Sequence, residues 1–412
     1  MPTSQICLLF SNSGGGHRSV TEAIHTALNE LLAEQRLANN YRIITDPLIE
    51  KSHPINRCFI GIYNYLLRHS QSSVKHYYKL IHYFKPNDSA FGYYITAPYM
   101  KQLISQIRPS VVAAVHPMIN QYTPKVIKRC GLAGYTKFIT IVTDPNERIW
   151  RGWACPDGDL TIVPNELVKD KLLSWGVPEE KVRVVGMPVH PDFHKPPRLN
   201  KAELRQSLGL DPDVLTICIN SGWAGGGNMM AIYKALKAVQ RKVQVIFLTG
   251  HNEELYDKVV RTSPTLGIPT VALPFNDQMS ELMSAVDLMV TKAGGVTTFE
   301  AVARRLPIAI DMITQPMPQE AGNADLLINA GLAKPVLHAS DIVPLVEKIK
   351  PDPDRLSRPL PKVYNLDKTG AVYDIARIIL EYAAPRFTTV PGQRSLPNSA
   401  SEEAIAKVVG LQ

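Results

Sequence analysis

A chain of 412 residues with 45% hydrophobic and 20% charged residues has the balance of two or three ordinary globular domains, which excludes a disulfide-stapled miniprotein, a fibrous repeat or a disordered polymer. The 45 Lys plus Arg against 37 Asp plus Glu give a net charge of +8, favouring anionic partners such as nucleic acid, lipid head groups or phosphorylated substrates without choosing among them. Five cysteines (Cys7, Cys58, Cys130, Cys155, Cys218), odd in number and without C-x-x-C spacing, are the usage of a reduced, cytosolic chain.

The first apolar run, residues 6–10, is too short for a signal segment, and no stretch approaches the ~18 apolar residues that span a bilayer, so membrane contact is expected to be peripheral. Residues 6–10, 42–45, 111–115, 138–143, 160–163 and 182–185 read as strands, mostly without polar alternation, as parallel strands covered on both faces do. Between the first two, Val20, Ala23, Ile24, Ala27, Leu28, Leu31 and Leu32 recur at helical spacing. After a Pro-rich stretch at 188–197, read as a linker, the pattern restarts with 214–219, 243–248, 270–273, 287–290 and 307–310. An amphipathic pattern from Ala371 to Tyr382 predicts a closing helix, and the Pro-, Ser- and Thr-rich end predicts a mobile tail with a short helix near 401–409. The expected division is 1–195, 196–372, a closing helix at 373–384 and a tail at 385–412.

Several strand ends carry glycines where open α/β sheets bind ligands. The first strand runs into SNSGGGHRSV, setting Gly14, Gly15 and Gly16 before a helix, with His17 as a titratable base. It is neither a P-loop nor a G-x-G-x-x-G fingerprint, and a plain tight turn remains the alternative. The second series opens on SGWAGGGN (Gly222, Gly225, Gly226, Gly227), continues to TGHN (Gly250, Asn252), and then to TKAGGVTTFE (Gly294, Gly295, Val296, Thr297, Glu300). Three such loops at one sheet edge point to a nucleotide, with a diphosphate on backbone N–H groups. Glu300 is a candidate acceptor for a ribose diol, and Gln319, Glu320 and Asn323 offer the amides and acceptors that sugar hydroxyls need; solvated surface positions are the alternative for each. The Asp-x-Asp pairs at 157/159, 211/213 and 352/354 are too short a pattern to predict a metal. Residues 51–101 hold seven Lys or Arg, four His, one acid and eight of 16 Tyr. Within them Val74, Tyr77, Tyr78 and Ile81 make a helical face edged by Lys75 and Lys79, the composition of an interfacial membrane helix or, alternatively, of a core-packing helix with a basic rim. No RNA-binding signature accompanies it, so nucleic acid is not an expected partner.

The loop with His17, the segment HPINRCFIGIYNYLLRH, VTDP at 142–145, GMPVHPDF at 186–193, and TKAGGVTTFEAVARRLPIAI followed by PQEAGNADLL resemble the monogalactosyldiacylglycerol synthase and processive diacylglycerol glucosyltransferase family. More distantly they are similar to the N-acetylglucosaminyltransferase that forms lipid II. The resemblance implies an α/β, GT-B fold: two Rossmann-like domains facing across a cleft, lipid acceptor on the first and UDP-sugar on the second. It implies an inverting transfer of a hexose to diacylglycerol, without metal or other cofactor, by an enzyme peripheral on the inner, anionic face of a membrane. Another lipid or polyprenyl acceptor, or UDP-sugar binding without turnover, is the alternative. His17 matches the base, with Asp144 as second base or orienting partner; Glu300 matches the ribose acid, Gln319 and Glu320 the hexose readers, and Phe275 the residue beside uracil. Acceptor and membrane contacts are expected from Gly15, Gly16, Lys75, Tyr77, Tyr78, Lys79, Trp150 and Trp153. Two departures from the family pattern are Trp150-Arg151-Gly152-Trp153, where a His usually precedes the Trp, and SGWAGGG, which lacks the usual acid.

Overall fold

The computed structural model describes residues 4–69, 73, 74, 83, 87–316, 318–350, 352 and 355–384, and these form two six-stranded, wholly parallel sheets. The first contains β1 (Ser4–Leu9), β2 (Tyr41–Asp46), β3 (Val111–Ala114), β4 (Lys137–Ile141), β5 (Leu160–Val163) and β6 (Val182–Val184), in the order β2-β1-β3-β4-β5-β6. The second contains β7 (Leu215–Asn220), β8 (Val243–Leu248), β9 (Thr270–Leu273), β10 (Leu288–Thr291), β11 (Ile308–Asp311) and β12 (Ala333–Val336), in the order β12-β11-β10-β7-β8-β9. Strand order reverses at β1 in one sheet and at β7 in the other, and the crevice at such a reversal is where open α/β sheets hold ligands. The glycine loops at 14–16 and 222–227 leave from these two strands.

The continuous apolar runs have the expected cause. β3, β5, β7 and β8 are buried at every position, with helices on both faces. β12, Ala-Lys-Pro-Val, carried no apolar run to read; it is an edge strand, where the missing N–H of Pro335 costs no ladder bond to a further neighbour.

The chain crosses between the units at Gly186. Val185 belongs to the first core, whereas Met187, Val189 and Phe193 are buried in the second. The Pro-rich stretch read as a linker is therefore fixed to the second unit, where Arg304 donates to the carbonyls of Asp192 and Lys195 at 2.9 and 3.0 Å. The chain returns beside the same point, because a Cβ on Gly186 would lie 2.6 Å from that of Ala371. The helix Ala371–Ala383 then packs Val372, Ile375 and Ile379 into the first core, so the predicted closing element is part of the first unit.

Of the basic aromatic face expected in the region 51–101, Val74 is buried, while Lys75, Tyr77, Tyr78, Lys79 and Ile81 lie outside the described residues, as do Asp354 and the tail 385–412. The helix Pro54–His69 nevertheless leaves Ile55, Phe59, Ile62 and Tyr65 exposed at helical spacing, and Phe91 and Tyr94 are exposed on Ala90–Ile107. Among the described residues no helix is long and apolar enough to cross a membrane.

Candidate active site

On the first unit, the loop after β1 is pinned by its neighbours. Ser11 Oγ and Asn12 N both donate to Glu50 Oε1 at 2.7 Å, and Gly14 N donates to Asn64 Oδ1 at 3.1 Å. Gly15 has φ of 84°, and Trp223 of the second unit occupies the place of its missing side chain, 2.8 Å from where a Cβ would be. His17 opens the helix Gly16–Glu34, and its Nδ1 lies 2.7 Å from the carbonyl of Val115 at the end of β3. A carbonyl only accepts, so Nδ1 carries the proton and Nε2 keeps a lone pair. Burial pulls His17 down to about 4 against the opposing pull of that carbonyl, and His116, edge-on at 4.4 Å, is held well below the usual range by burial and by His17. Both rings are neutral at physiological pH.

Asp144 follows β4. Burial raises its carboxyl above the usual range, a 2.8 Å bond from Trp153 Nε1 opposes this, and the charge of Glu320, from the second unit, raises it further. Asp144 of the first unit thus lies within electrostatic reach of Glu320 of the second. Asp144 does not orient His17, because the Val115 carbonyl does that; its own partner is Trp153.

On the second unit, the expected glycine loops divide into two roles. Asn252 Nδ2 donates to the Gly225 carbonyl at 2.8 Å, and His251 N donates to that of Trp223 at 3.0 Å. A Cβ on Gly225 would strike the Thr249 carbonyl, and one on Gly250 that of Gly222. Gly225, Gly250 and Asn252 therefore lock two loops together; Asn252 Oδ1 also caps Glu253–Leu266 by accepting from Leu255 N at 3.0 Å. These three thus carry a structural role in holding the two loops against each other.

Gly222 N donates to Asn220 Oδ1 at 2.8 Å and Gly226 N to the Ser221 carbonyl at 3.0 Å, so these two also spend their N–H groups inside the loop, and the side chain of Lys292 runs beside it. Lys292 Cε lies 3.3 Å from the Cβ position of Gly222, and its Cδ 3.4 Å from that of Gly227. Lys292 escaped the sequence reading, although a basic residue just before paired glycines was a usable signal. The helix Gly295–Ala303 starts at Gly294 with no side-chain cap, so among the described residues the N–H groups of Gly295, Val296 and Thr297 have no side-chain partner and form the positive end of a helix dipole. One turn on, Glu300 is 6% exposed and burial pushes its carboxyl up to about 7. Phe275, 49% exposed, stacks on His251 with ring centroids 4.7 Å apart and 13° between planes, and Trp223 meets His251 edge-on at 5.0 Å. Only Phe275 of this stack had been anticipated.

Gln319 and Glu320 lie in the first turn of Pro318–Asn329. Asn323, expected beside them as a sugar reader, is 2% exposed and already engaged, accepting from Asn146 and donating to the Ala293 carbonyl. The residues expected to meet the acceptor are placed as follows. Gly15 and Gly16 face Trp223 and Val296 of the second unit, so they line the seam between units. Trp153 is fully buried and donates to Asp144, so it forms no membrane face, while Trp150 is half-buried against Gly152.

Comparison with known proteins agrees with this geometry. Residues 17–189 match the monogalactosyldiacylglycerol (MGDG) synthase family model, and residues 229–352 match the glycosyltransferase family 28 C-terminal domain. A probable monogalactosyldiacylglycerol synthase of Nicotiana tabacum is 31% identical over 347 residues, 81% of this chain; the match spans 62% of that relative's length. Among solved structures, Acinetobacter baumannii MurG superposes with a TM-score of 0.52 at 12% identity, covering 92% of this chain and 99% of that one. The UDP-GlcNAc 2-epimerase of Methanocaldococcus jannaschii gives 0.54 at 11% identity, covering 91% and 99%. The fold is GT-B.

Proposed function

We propose that the chain, whose residues 17–189 match the monogalactosyldiacylglycerol synthase model and whose residues 229–352 match the glycosyltransferase family 28 C-terminal domain, belongs with these enzymes and transfers a hexose from a UDP-sugar to diacylglycerol at a membrane surface. The fold alone does not decide this, since an epimerase of UDP-GlcNAc shares it. The observation that carries the reading is that His17 and Asp144 stand where the two units meet: the loop before His17 packs on Trp223 and Val296, and the carboxyl of Asp144, raised by burial, is raised further by the charge of Glu320.

In this reading the uracil stacks by Phe275, the ribose diol donates to Glu300, and the diphosphate lies on the N–H groups of Gly295 to Thr297, with Lys292 beside it. Gln319 and Glu320 read the hexose. Nε2 of His17, neutral and aimed by the Val115 carbonyl, takes the proton of the acceptor hydroxyl as the new C–O bond forms and the bond to UDP breaks. One displacement inverts the anomeric carbon. The charge on the departing UDP is met by Lys292 and the helix N-terminus, so the mechanism calls on no divalent cation. The exposed Ile55, Phe59, Ile62 and Tyr65, with Arg57 on the same helix, suit an anionic bilayer, where rings settle at head-group depth and cations meet lipid charge.

The test offers the purified protein a panel of UDP-hexoses with diacylglycerol in mixed micelles. Release of UDP that requires the lipid, with a β-glycosyl lipid as product, is the expected result. UDP release independent of lipid, or binding without turnover of any UDP-hexose, overturns the reading.

A further inference from the structure

The two units are joined by a buried amide pair. Asn146, two residues beyond Asp144, is 1% exposed, and Asn323 of the second unit is 2% exposed. Asn146 Nδ2 donates to Asn323 Oδ1 at 2.6 Å, and Asn323 Nδ2 donates to the Ala293 carbonyl at 3.0 Å. Asn146 Oδ1 accepts from Arg148 N at 2.8 Å. The orientation of both amides is dictated from the ends. The Ala293 carbonyl can only accept and the Arg148 N–H can only donate, so Asn323 must present its oxygen, and Asn146 its nitrogen, to the other.

This row of bonds runs from the loop carrying Asp144 to the loop carrying Lys292, Gly294 and Gly295. Gly322 makes room for it, since a Cβ there would overlap the Asn146 amide. The nearby Arg148–Asp325 pair at 2.9 Å is half-exposed and holds the units only weakly. A buried amide pair with one member from each unit is satisfied in one relative placement alone, and any slip leaves polar atoms unpaired away from water.

We infer that Asn146 and Asn323 are a positioning pair that sets the base-bearing loop of the first unit against the donor loop of the second. The inference rests on the reading of the chain as a UDP-sugar transferase, because only a bond formed between groups held on separate units needs such a register. A shift of about 1 Å between reacting groups costs up to about 10²-fold in rate, which fixes the scale of the effect.

The experiment compares Asn146→Ala, Asn323→Ala, the double variant and Gly322→Ala in the full chain. Asn146→Ala should lower kcat about 10- to 100-fold, with a smaller effect on UDP affinity, because what it loses first is the register between the units. The double variant should lose no more than the worse single one. Gly322→Ala, which keeps both amides but wedges them apart, should reproduce the kcat loss. Hydrogen exchange supplies a readout independent of turnover: Asn146→Ala should speed exchange at residues 291–300, in the unit that does not contain it. Normal kcat in Asn146→Ala, additive losses in the double variant, or unchanged exchange at 291–300 overturns the pairing. If the wild type transfers no hexose, the functional reading falls while the exchange result still decides whether the pair holds the units in register.

Discussion

Replacing Glu300 by Gln keeps the shape of the side chain and removes its charge, and the structure makes two opposite demands on the result. The carboxyl is pushed from 4.5 up to about 7 by burial, so between those values the folded protein holds a proton that the unfolded chain has released. Its contribution to stability is intact below pH 4.5 and is lost as pH rises through 7. At about 1.4 kcal/mol per unit, the ionised carboxylate costs the fold about 3 kcal/mol above pH 7, and Glu300→Gln should recover an amount of that order at pH 8.5 and much less at pH 5. Binding should respond the other way. A ribose diol donating to a carboxylate is worth about 1.5–3 kcal/mol more than no bond, so the same variant should bind UDP roughly tenfold or more weakly at pH 8.5, with the gap narrowing toward pH 5 as the wild-type carboxyl protonates. Denaturant unfolding, following the transition that UDP shifts, and calorimetry of UDP at both pH values measure the two effects. A variant no more stable at pH 8.5 would refute the buried charge, and unchanged UDP affinity would remove Glu300 from the ribose.

His17→Ala should lower kcat by roughly 10²–10⁴ and spare UDP affinity, since donor contacts lie in the other unit; a near-normal rate transfers the base role to Asp144. Trp153→Phe removes the N–H that favours ionised Asp144, so the acid limb of the pH-rate profile should move to higher pH, and an unmoved limb excludes that carboxylate from the rate. EDTA should leave turnover intact while Lys292→Met weakens UDP roughly tenfold through a lost charge-assisted bond; activity lost to EDTA and restored by Mg²⁺ contradicts the proposed handling of the leaving group. Phe59→Ser with Tyr65→Ser should reduce co-sedimentation with anionic vesicles at high salt, where the apolar share of binding persists, without touching UDP affinity. Wild-type pelleting by that variant moves the membrane face elsewhere.

The legible parts of this protein are those written in local pattern. Uninterrupted apolar runs such as 111–115 and 243–248 announce parallel strands because both of their faces are covered, and glycines directly after such runs mark the sheet edge at which ligands sit. His17 and Glu300 stand out because each follows such a loop, and Glu320 because it lies in a Pro-marked polar segment. β12 escaped because an edge strand needs no apolar run, and Lys292 because its meaning depends on the neighbouring loop folding alongside its stem.

Where residues of distant segments meet, pattern is silent. Asn323 and Asn252 read as free polar groups, yet their bonding capacity is taken by Asn146, Ala293 and Gly225, as far as 177 residues away in the chain. Trp153 reads as an exposed aromatic and is a buried donor to Asp144. Period and glycine placement act over a few residues, and they announce two α/β units, their strand ends and the chemical types available there. The tertiary structure alone decided which of those groups remain open to a ligand: a hydrogen-bonding group is spent or free according to what another segment places within about 3 Å of it, and no local pattern records that.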